Sequence, residues 1–267
     1  MNPDQIRELV RNRYGAIADG TGSLCCPPKP TVASSCCGGD TAPGVNELAR
    51  RMGYGADELA AVGEGANLGL GCGNPQAIAA MRPGEVVVDL GSGAGFDGFL
   101  AARQVGETGR VIGVDMTPEM LKKARGNAAK LGLGHVEFRL GEIEHLPVAD
   151  GTADVIISNC VINLSPDKPA VLREAFRVLK SGGRIAVSDV VMLQPLTPEL
   201  KALKELVCGC VAGAASVEEL KTWLAEAGFT DIHIEPKPES RDLIREWAPG
   251  LGVEDYVASA AIQARKP

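Results

Sequence analysis

Residues 86–96 read Val-Val-Val-Asp-Leu-Gly-Ser-Gly-Ala-Gly-Phe. The β-branched run that ends at Asp89 predicts a buried strand, the alternating glycines predict a tight turn, and the apolar stretch from Phe96 to Val105 predicts a helix. Glycine is needed in such a turn because a Cβ would hinder a positive φ and block a ligand approaching the carboxyl end of the strand. The stretch therefore predicts an α/β fold with a nucleotide-type cofactor bound at the turn.

The glycines alone leave two kinds of cofactor open. The spacing of Gly93, Gly95 and Gly98 also satisfies the pattern of dinucleotide-binding turns. The next apolar stretch, Arg110 to Asp115, ends in an acid at the distance where a carboxylate would bind ribose hydroxyls. That acid fits either cofactor, so the choice depends on the rest of the chain.

Strand and helix patterns keep alternating beyond this turn. Further strands are predicted at His135 to Leu140, Ala153 to Ser158, Arg184 to Val191 after a turn at Gly182-Gly183, Asp231 to Glu235 and Tyr256 to Ala264. We expect a parallel sheet with right-handed connections, and we expect the last of these strands to be its antiparallel edge. A helix is expected to run from Pro198 to Cys210, where such a fold would carry a substrate lid.

Composition and charge narrow the classes of function. The 267 residues carry a formal net charge of −7, which predicts no basic surface for nucleic acid. No stretch is apolar for long enough to span a bilayer, and the charged N-terminus lacks the apolar segment of a secretory signal. We expect a cytoplasmic monomer without nucleic-acid or membrane partners.

The chain has eight cysteines, which in a reducing cytosol indicate metal or redox chemistry more than a disulfide framework. Cys25, Cys26, Cys36 and Cys37 lie among glycine, proline and serine, in a stretch predicted to be a mobile loop. These thiols offer ligands for zinc, although no Cys-x-x-Cys spacing is present and no histidine is near. A structural zinc site in this loop stays an alternative.

Three other cysteines are predicted to meet at one rim of the sheet. Cys72 lies in a glycine-rich loop, Cys160 directly follows a predicted strand, and Cys210 lies in the segment that follows the fifth strand. Because carboxyl ends of parallel strands share an edge, loops from distant parts of the chain come together there.

Four stretches carry a family resemblance. They read Asn-Leu-Gly-Leu-Gly-Cys-Gly-Asn-Pro at 67–75, Asp-Leu-Gly-Ser-Gly-Ala-Gly-Phe-Asp at 89–97, Ser-Asn-Cys-Val-Ile-Asn-Leu at 158–164 and Cys-Val-Ala-Gly-Ala at 210–214. The second resembles the first motif of class I S-adenosylmethionine-dependent methyltransferases, and the four together resemble arsenite S-adenosylmethionine methyltransferases. The resemblance runs to about residue 215. It implies a Rossmann-like class I methyltransferase fold, with a mostly parallel seven-stranded sheet flanked by helices.

Carried over residue by residue, the resemblance implies the functional groups. The arsenite ligands would be Cys72, Cys160 and Cys210, of which the last is preferred to Cys208 because it heads a Cys-x-x-Gly-Ala motif. The cofactor contacts would be Asp89, Gly91, Gly93, Gly95, Asp115, Met116, Glu142, Ile143 and Asn159. The family also uses an N-terminal cysteine in a disulfide relay, for which the loop offers Cys25 or Cys26, then Cys36 and Cys37.

The chemistry of arsenic gives an independent reason for three thiols. Trivalent arsenic is soft and three-coordinate, so three thiolates can displace its hydroxyls and leave a lone pair that points away from the sulfurs. If that lone pair faces the methyl group of S-adenosylmethionine, catalysis depends on proximity and orientation and needs no general base. The expected substrates are arsenite and methylarsenite, with a thiol reductant such as thioredoxin or glutathione.

We expect three regions along the chain. Residues 1–64 would hold the N-terminal helices and the Cys-rich loop, residues 65–195 the cofactor-binding domain, and residues 196–267 Cys210 and the closing strands. Two other functions stay open: a methyltransferase that acts on a small organic substrate, and a non-catalytic thiol protein that sequesters metalloid. The second would be marked by a damaged cofactor loop, and Asp89 to Gly95 is intact.

Overall fold

The computed structural model describes residues 1–21, 44–63, 65–203, 206–207 and 209–267. The helices are α1 (Pro3–Ala18), α2 (Val45–Arg51), α3 (Ala56–Ala61), α4 (Gln76–Ala79), α5 (Phe96–Val105), α6 (Pro118–Leu131), α7 (Lys168–Val178), α8 (Pro198–Lys201), α9 (Val217–Ala227) and α10 (Arg241–Trp247). The strands are β1 (Val86–Leu90), β2 (Arg110–Asp115), β3 (Val136–Leu140), β4 (Ala153–Asn159), β5 (Leu179–Met192), β6 (Ala215–Ser216), β7 (Thr230–Lys237) and β8 (Val257–Arg265). The alternation predicted from β1 onwards is confirmed.

The strands form one sheet in the order β3-β2-β1-β4-β5-β8-β7, with the two-residue β6 paired to β5. Strands β1 to β5 run parallel, and β8 runs antiparallel to both β5 and β7. The predicted mostly parallel, seven-stranded sheet is therefore confirmed as the main path. The carboxyl ends of β1, β2, β4 and β5 lie at the same edge of this sheet.

Side chains of β1 alternate between two apolar cores because successive residues of a strand point to opposite faces. Val87 packs in a cluster with residues of α4 and α5, whereas Val88 and Leu90 pack in a cluster with residues of α7 and α9. All three side chains are buried. Helices thus cover both faces of the sheet, and its edge at the strand ends is left for the loops.

The predicted position of the last strand is wrong. β8 is antiparallel, as expected, but it lies between β5 and β7, so β7 is the edge strand. The burial explains the order: β8 carries small side chains such as Ala258 and Ala260 that are buried, whereas every residue of β7 is partly or fully exposed. The strands that follow residue 195 therefore complete the same sheet.

The predicted turn at Gly182-Gly183 lies inside strand β5, which begins at Leu179. Gly182 has φ +80°. Its N–H donates to the carbonyl of Lys266 at 2.9 Å, and the N–H of Lys266 donates to the carbonyl of Gly183 at 2.9 Å. These bonds to the end of the chain extend the ladder through both glycines.

The helix expected from Pro198 to Cys210 is not continuous: it breaks after Lys201, Leu206 and Val207 are helical again, and the helical part ends before Cys210. α8 ends at Lys201, and Cys210 has φ +62°, which no α-helix contains. No helix among the described residues is long and apolar enough to cross a membrane.

Candidate active site

The glycine turn after β1 forms the floor of the cleft. Gly91, Gly93 and Gly95 have φ values of +66°, +52° and +95°. A Cβ on Gly91 would lie 2.4 Å from Val161, and a Cβ on Gly95 would lie 2.5 Å from the ring of Phe99. A Cβ on Gly93 would meet no atom of the described residues within 4 Å. Gly91 and Gly95 are therefore required for packing, and Gly93 faces open space where a ligand can approach.

A cavity of about 1100 Å³ extends from this turn along the carboxyl ends of the strands. Helix α1 contributes one wall through Val10 and Ile17, and the end of α10 with the segment after it contributes another through Trp247 and Leu251. Such a volume, walled by elements from both ends of the chain, suits a cofactor together with a small substrate.

Asp115, at the end of β2, is fixed by backbone donors. Its Oδ2 accepts from the N–H of Gly93 at 2.9 Å, and its Oδ1 accepts from the N–H of Thr117 at 2.8 Å. Burial raises the pKa of Asp115. The side chain lines the cavity and holds the glycine turn in place, together with Met116 and Ile143 on the same wall.

Three buried carboxyl groups, those of Asp89, Asp97 and Asp115, give this cavity a negative electrostatic potential. Burial and the neighbouring charges of Asp97 and Asp115 raise the pKa of Asp89 well above its usual value. Asp89 Oδ2 and Ser92 Oγ are buried without a hydrogen-bond partner in the described part of the chain. Asp89, Asp97 and Asp115 all line the cavity, and such an acidic lining suits a cofactor that carries an ammonium and a sulfonium and opposes a pyrophosphate. The site therefore fits S-adenosylmethionine.

Two of the expected cofactor residues lie outside the cavity lining. Glu142 points to α1, where its carboxylate pairs with Arg7 at 3.4 Å and with Arg11 at 3.5 Å. The neighbouring Glu144 lines the cavity instead and also pairs with Arg7, at 3.4 Å. Gly95 packs against Phe99 and does not face the cleft. The ion pairs that Glu142 and Glu144 form with α1 hold this helix against the loop after β3.

A buried hydrogen-bond network joins the cofactor end of the cavity to Cys72. The hydroxyl of Tyr54 donates to Asp97 Oδ1 at 2.7 Å, and Asn159 Nδ2 donates to Asp97 Oδ2 at 3.1 Å. Asn159 Oδ1 accepts from the N–H of Cys72 at 3.0 Å. Asn159 was expected here, whereas Tyr54 and Asp97 were missed. The available signal for Asp97 was an acid in the first turn of a helix whose next residues, 98–102, are small or apolar.

The three cysteines meet beside the cavity. The sulfurs of Cys72 and Cys160 and a carboxylate oxygen of Asp189 lie within 4.8 Å of one another. The thiol of Cys160 interacts electrostatically with the thiols of both Cys72 and Cys210. Cys210 Sγ also donates to the carbonyl of Cys160 at 2.8 Å. Cys160 and Cys210 line the cavity, and Cys72 is buried behind them.

Burial keeps these thiols protonated. It raises the pKa of Cys72 to about 11. The pKa of Cys210 is raised well above its usual value by its hydrogen bond with Cys160 and by burial. For Cys160, the lowering effect of Cys210 is outweighed by the hydrogen bond with Cys72 and by burial, so its pKa is also raised. The protein without substrate therefore presents three neutral thiols at pH 7.

Asp189, near the end of β5, is a further site residue that the sequence analysis missed. Its oxygens accept from the N–H groups of Ile162 at 2.9 Å and Val190 at 2.8 Å, and from Asn163 Nδ2 at 2.9 Å. Burial raises the pKa of Asp189 to about 6. The carboxylate fixes the turn that follows Cys160. An acid inside an apolar strand was the visible signal, but its partners come from other segments.

The remaining expected residues, Cys25 and Cys26, lie outside the described residues. The same holds for Cys36, Cys37 and Cys208.

Comparison with known proteins agrees with this geometry. A family model described as a methyltransferase domain matches residues 81–228. The whole chain is 52% identical to an arsenite methyltransferase of Halobacterium salinarum, of which it covers 68%. Over 88% of its length it is 37% identical to an arsenite methyltransferase of Aquipseudomonas alcaligenes, of which it covers 65%.

Solved structures show the same relationship. An arsenic(III) S-adenosylmethionine methyltransferase from Chlamydomonas reinhardtii aligns with a TM-score of 0.62 and 33% identity, over 85% of this chain and 75% of that chain. A phosphoethanolamine N-methyltransferase from Haemonchus contortus, in complex with S-adenosylmethionine, reaches a TM-score of 0.62 at 19% identity over 79% of this chain and 52% of that chain, which is a likeness of fold alone.

The sheet order and the acidic, glycine-floored cleft define a class I methyltransferase that uses S-adenosylmethionine. The dinucleotide alternative is excluded by this family membership. Within the class, the similarity that runs over the whole chain decides the assignment: the chain belongs to the arsenite methyltransferases. It spans about two thirds of the length of the two microbial relatives, covering 68% and 65% of them.

Proposed function

We propose that this protein transfers methyl groups from S-adenosylmethionine to trivalent arsenic held by Cys72, Cys160 and Cys210. The observation that carries the proposal is the meeting of three thiols from distant segments at the wall of the cofactor cavity. Binding of a small organic substrate would not need this cluster. The substrates are arsenite and then methylarsenite.

Arsenite binds by exchange of its hydroxyls for thiols. At each cysteine an As–S bond forms and an As–O bond breaks, and the thiol proton leaves with the hydroxyl as water. The exchange suits thiols that are neutral at pH 7, since no free thiolate has to be buried. Three sulfurs leave arsenic with a lone pair directed away from them.

The protein orients the reaction through its own fixed groups. S-adenosylmethionine supplies a methyl group on a positively charged sulfur; Asp115 and the main chain around Gly93 would hold its ribose, and Asp89 its ammonium group. Asn159 donates a hydrogen bond to Asp97 and accepts one from the N–H of Cys72. A single side chain therefore links an arsenic ligand to the wall of the cofactor cavity. No proton has to be removed from arsenic, and orientation is the main contribution.

A thiol relay completes turnover. Methylation of the lone pair raises arsenic from the +3 to the +5 state, and two electrons must return before the next round. A site thiol such as Cys72 and one of Cys25 or Cys26 can supply them by forming a disulfide. Thioredoxin or glutathione would then reopen that disulfide by thiolate attack. Adjacent cysteines are poorly placed to bond each other, which favours this longer-range pairing.

The proposal is tested by assaying methylated arsenic with S-adenosylmethionine, arsenite and a dithiol reductant. The wild-type chain should form methylarsenicals, and serine at Cys72, Cys160 or Cys210 should each lower the rate at least tenfold while cofactor affinity is retained, because a hydroxyl is too hard and too weakly acidic for arsenic. Serine at Cys208 is the matched control and should keep the rate. Wild-type rates in all three site variants, or methylation of an organic acceptor alone, would contradict the proposal.

A further inference from the structure

A carboxylate stands next to the three thiols, and trivalent arsenic does not need it. The nearest oxygen of Asp189 lies within 4.8 Å of the sulfurs of both Cys72 and Cys160. Three-coordinate arsenic is saturated by the sulfurs of Cys72, Cys160 and Cys210. The site therefore offers four ligand atoms to an ion that prefers four.

We infer that this thiol site also binds a divalent cation of borderline softness, Zn²⁺, through Cys72, Cys160, Cys210 and the Asp189 carboxylate, and that bound Zn²⁺ excludes arsenite. The Zn²⁺ site stands on the geometry of these side chains. The exclusion of arsenite rests in addition on the proposed function, since it requires that arsenic uses the same three thiols.

The donor set matches Zn²⁺, which is bound tetrahedrally by sulfur, nitrogen and carboxylate oxygen. With Zn–S distances of about 2.3 Å, neighbouring ligand atoms of such a site lie about 3.5 to 3.8 Å apart. The 4.8 Å limit that encloses Cys72, Cys160 and Asp189 exceeds this by an amount that side-chain rotation can close. Cys210 Sγ, which donates to the carbonyl of Cys160 at 2.8 Å, lies outside this group and would reach the cation by rotation of its side chain.

Asp189 keeps capacity for a ligand. Its Oδ1 accepts from Asn163 Nδ2 and from the N–H of Val190, which uses both lone pairs of that oxygen. Its Oδ2 accepts from the N–H of Ile162 at 2.9 Å, and the N–H of Asn163 also acts on the carboxylate. A cation would compete with this weaker donor for a lone pair of the carboxylate. The other bonds orient the carboxylate in the way that outer-shell partners orient metal ligands.

The charge balance is acceptable for a buried cation. Three thiolates and a carboxylate exceed the charge of Zn²⁺, and the half-buried ammonium group of Lys168 acts electrostatically on both Asp189 and Cys210. Lys168 Nζ donates to the carbonyl of Ser165 at 3.1 Å, which keeps it near the site. Binding Zn²⁺ releases the thiol protons to solvent.

Zn²⁺ would use Asp189 as a ligand, whereas trivalent arsenic would not. This difference provides the test. The full chain is prepared with serine at Cys25, Cys26, Cys36, Cys37 and Cys208, so that the site thiols are the only thiols left. Zn²⁺ affinity is measured by competition with a chelator, and Cd²⁺ is added to count thiolates by charge-transfer absorbance. We expect one ion per chain, three thiolates, and competitive inhibition by Zn²⁺ of the first, single-turnover methylation of arsenite.

Asp189→Asn should weaken Zn²⁺ binding at least tenfold and change arsenite affinity less than threefold. Asp154→Asn, a partly buried acid at the opposite end of the strands, is the matched control and should leave both affinities unchanged. Unchanged Zn²⁺ affinity in Asp189→Asn, or equal losses for Zn²⁺ and arsenite, would overturn the four-ligand site. Zn²⁺ binding that depends on Asp189 in a chain that binds no arsenite would uphold this site and refute the proposed function.

Discussion

Cys160 and Cys210 both adopt left-handed backbone, with φ values of +59° and +62°. For a residue with a Cβ such a conformation costs on the order of 1–3 kcal/mol and persists only where neighbouring groups enforce it. Here the N–H of Cys160 donates to the carbonyl of Ser188 at 2.8 Å, and Asp189 fixes the following turn. The strain directs two thiols toward one point, which is what a three-sulfur substrate requires.

Asp115 provides a test of the cofactor site. Asp115→Ala should weaken binding of S-adenosylmethionine by about 1 to 3 kcal/mol, because a carboxylate bonded to hydroxyls and to the N–H of Gly93 is lost. Titration calorimetry measures the change, and NADH should give no binding heat with the wild-type chain. Undiminished cofactor affinity in Asp115→Ala, or tight NADH binding, would contradict the assigned cofactor site.

In the glycine turn between β1 and α5, Gly91 and Gly95 are required for packing, whereas Gly93 faces the cavity. Gly93 and Gly106 both have positive φ, at +52° and +66°, and within the described part of the chain a Cβ on either would meet no atom within 4 Å. Gly93 faces the cavity, whereas Gly106 ends α5 away from it. Both positions have a positive φ, and Gly106 adds ψ −177°, a combination that is essentially confined to glycine.

Alanine at either glycine should therefore lower the free energy of unfolding, by about 1 kcal/mol at Gly93 and by more at Gly106. Only Gly93→Ala should also weaken S-adenosylmethionine binding, since its methyl group would occupy space in front of the turn. Chemical denaturation and calorimetry on the two variants measure the two effects. Equal cofactor affinities would show that the cofactor does not approach this turn.

The sequence predicts some of the contacts between elements, but not all of them. The meeting of Cys72 and Cys160 was predictable because carboxyl ends of parallel strands share an edge, and this holds whatever the loop conformations are. The order of β7 and β8 in the sheet was not predictable from the sequence, because it depends on which of the two strands is covered on both faces. The direction of Glu142 was also hidden, since it is set by Arg7 and Arg11 of a helix far away in the chain.

For the whole molecule, the buried thiols couple stability to pH. Burial raises the pKa of Cys72 from 9.0 to about 11, so its contribution to stability is complete below pH 9 and is lost as pH rises through about 11. Between pH 7.5 and pH 10, the wild-type chain should lose about 1 kcal/mol more unfolding free energy than Cys72→Ser. Urea denaturation in a thiol-free reductant tests this; parallel losses would indicate that Cys72 is not held in its neutral form.

The relay makes another prediction for the whole chain. Serine at both Cys25 and Cys26 should leave the first methylation of bound arsenite unchanged and slow later turnovers at least tenfold, because the two-electron return is blocked. The pair Cys36 and Cys37, changed in the same way, is the matched comparison. Mass spectrometry of wild-type protein after one turnover without reductant should find Cys72 linked to Cys25 or Cys26. Free loop thiols beside an oxidised Cys72 would refute the relay.

The central claim is that three specific thiols hold arsenic beside the cofactor cavity, and X-ray absorption at the arsenic edge tests it most directly. The sample is the full chain with serine at Cys25, Cys26, Cys36, Cys37 and Cys208, loaded with one equivalent of arsenite. We predict three sulfur neighbours and no oxygen around arsenic, and loss of one sulfur when Cys72, Cys160 or Cys210 is replaced. Oxygen neighbours in the parent sample, or a sulfur count unchanged by those replacements, would contradict the account.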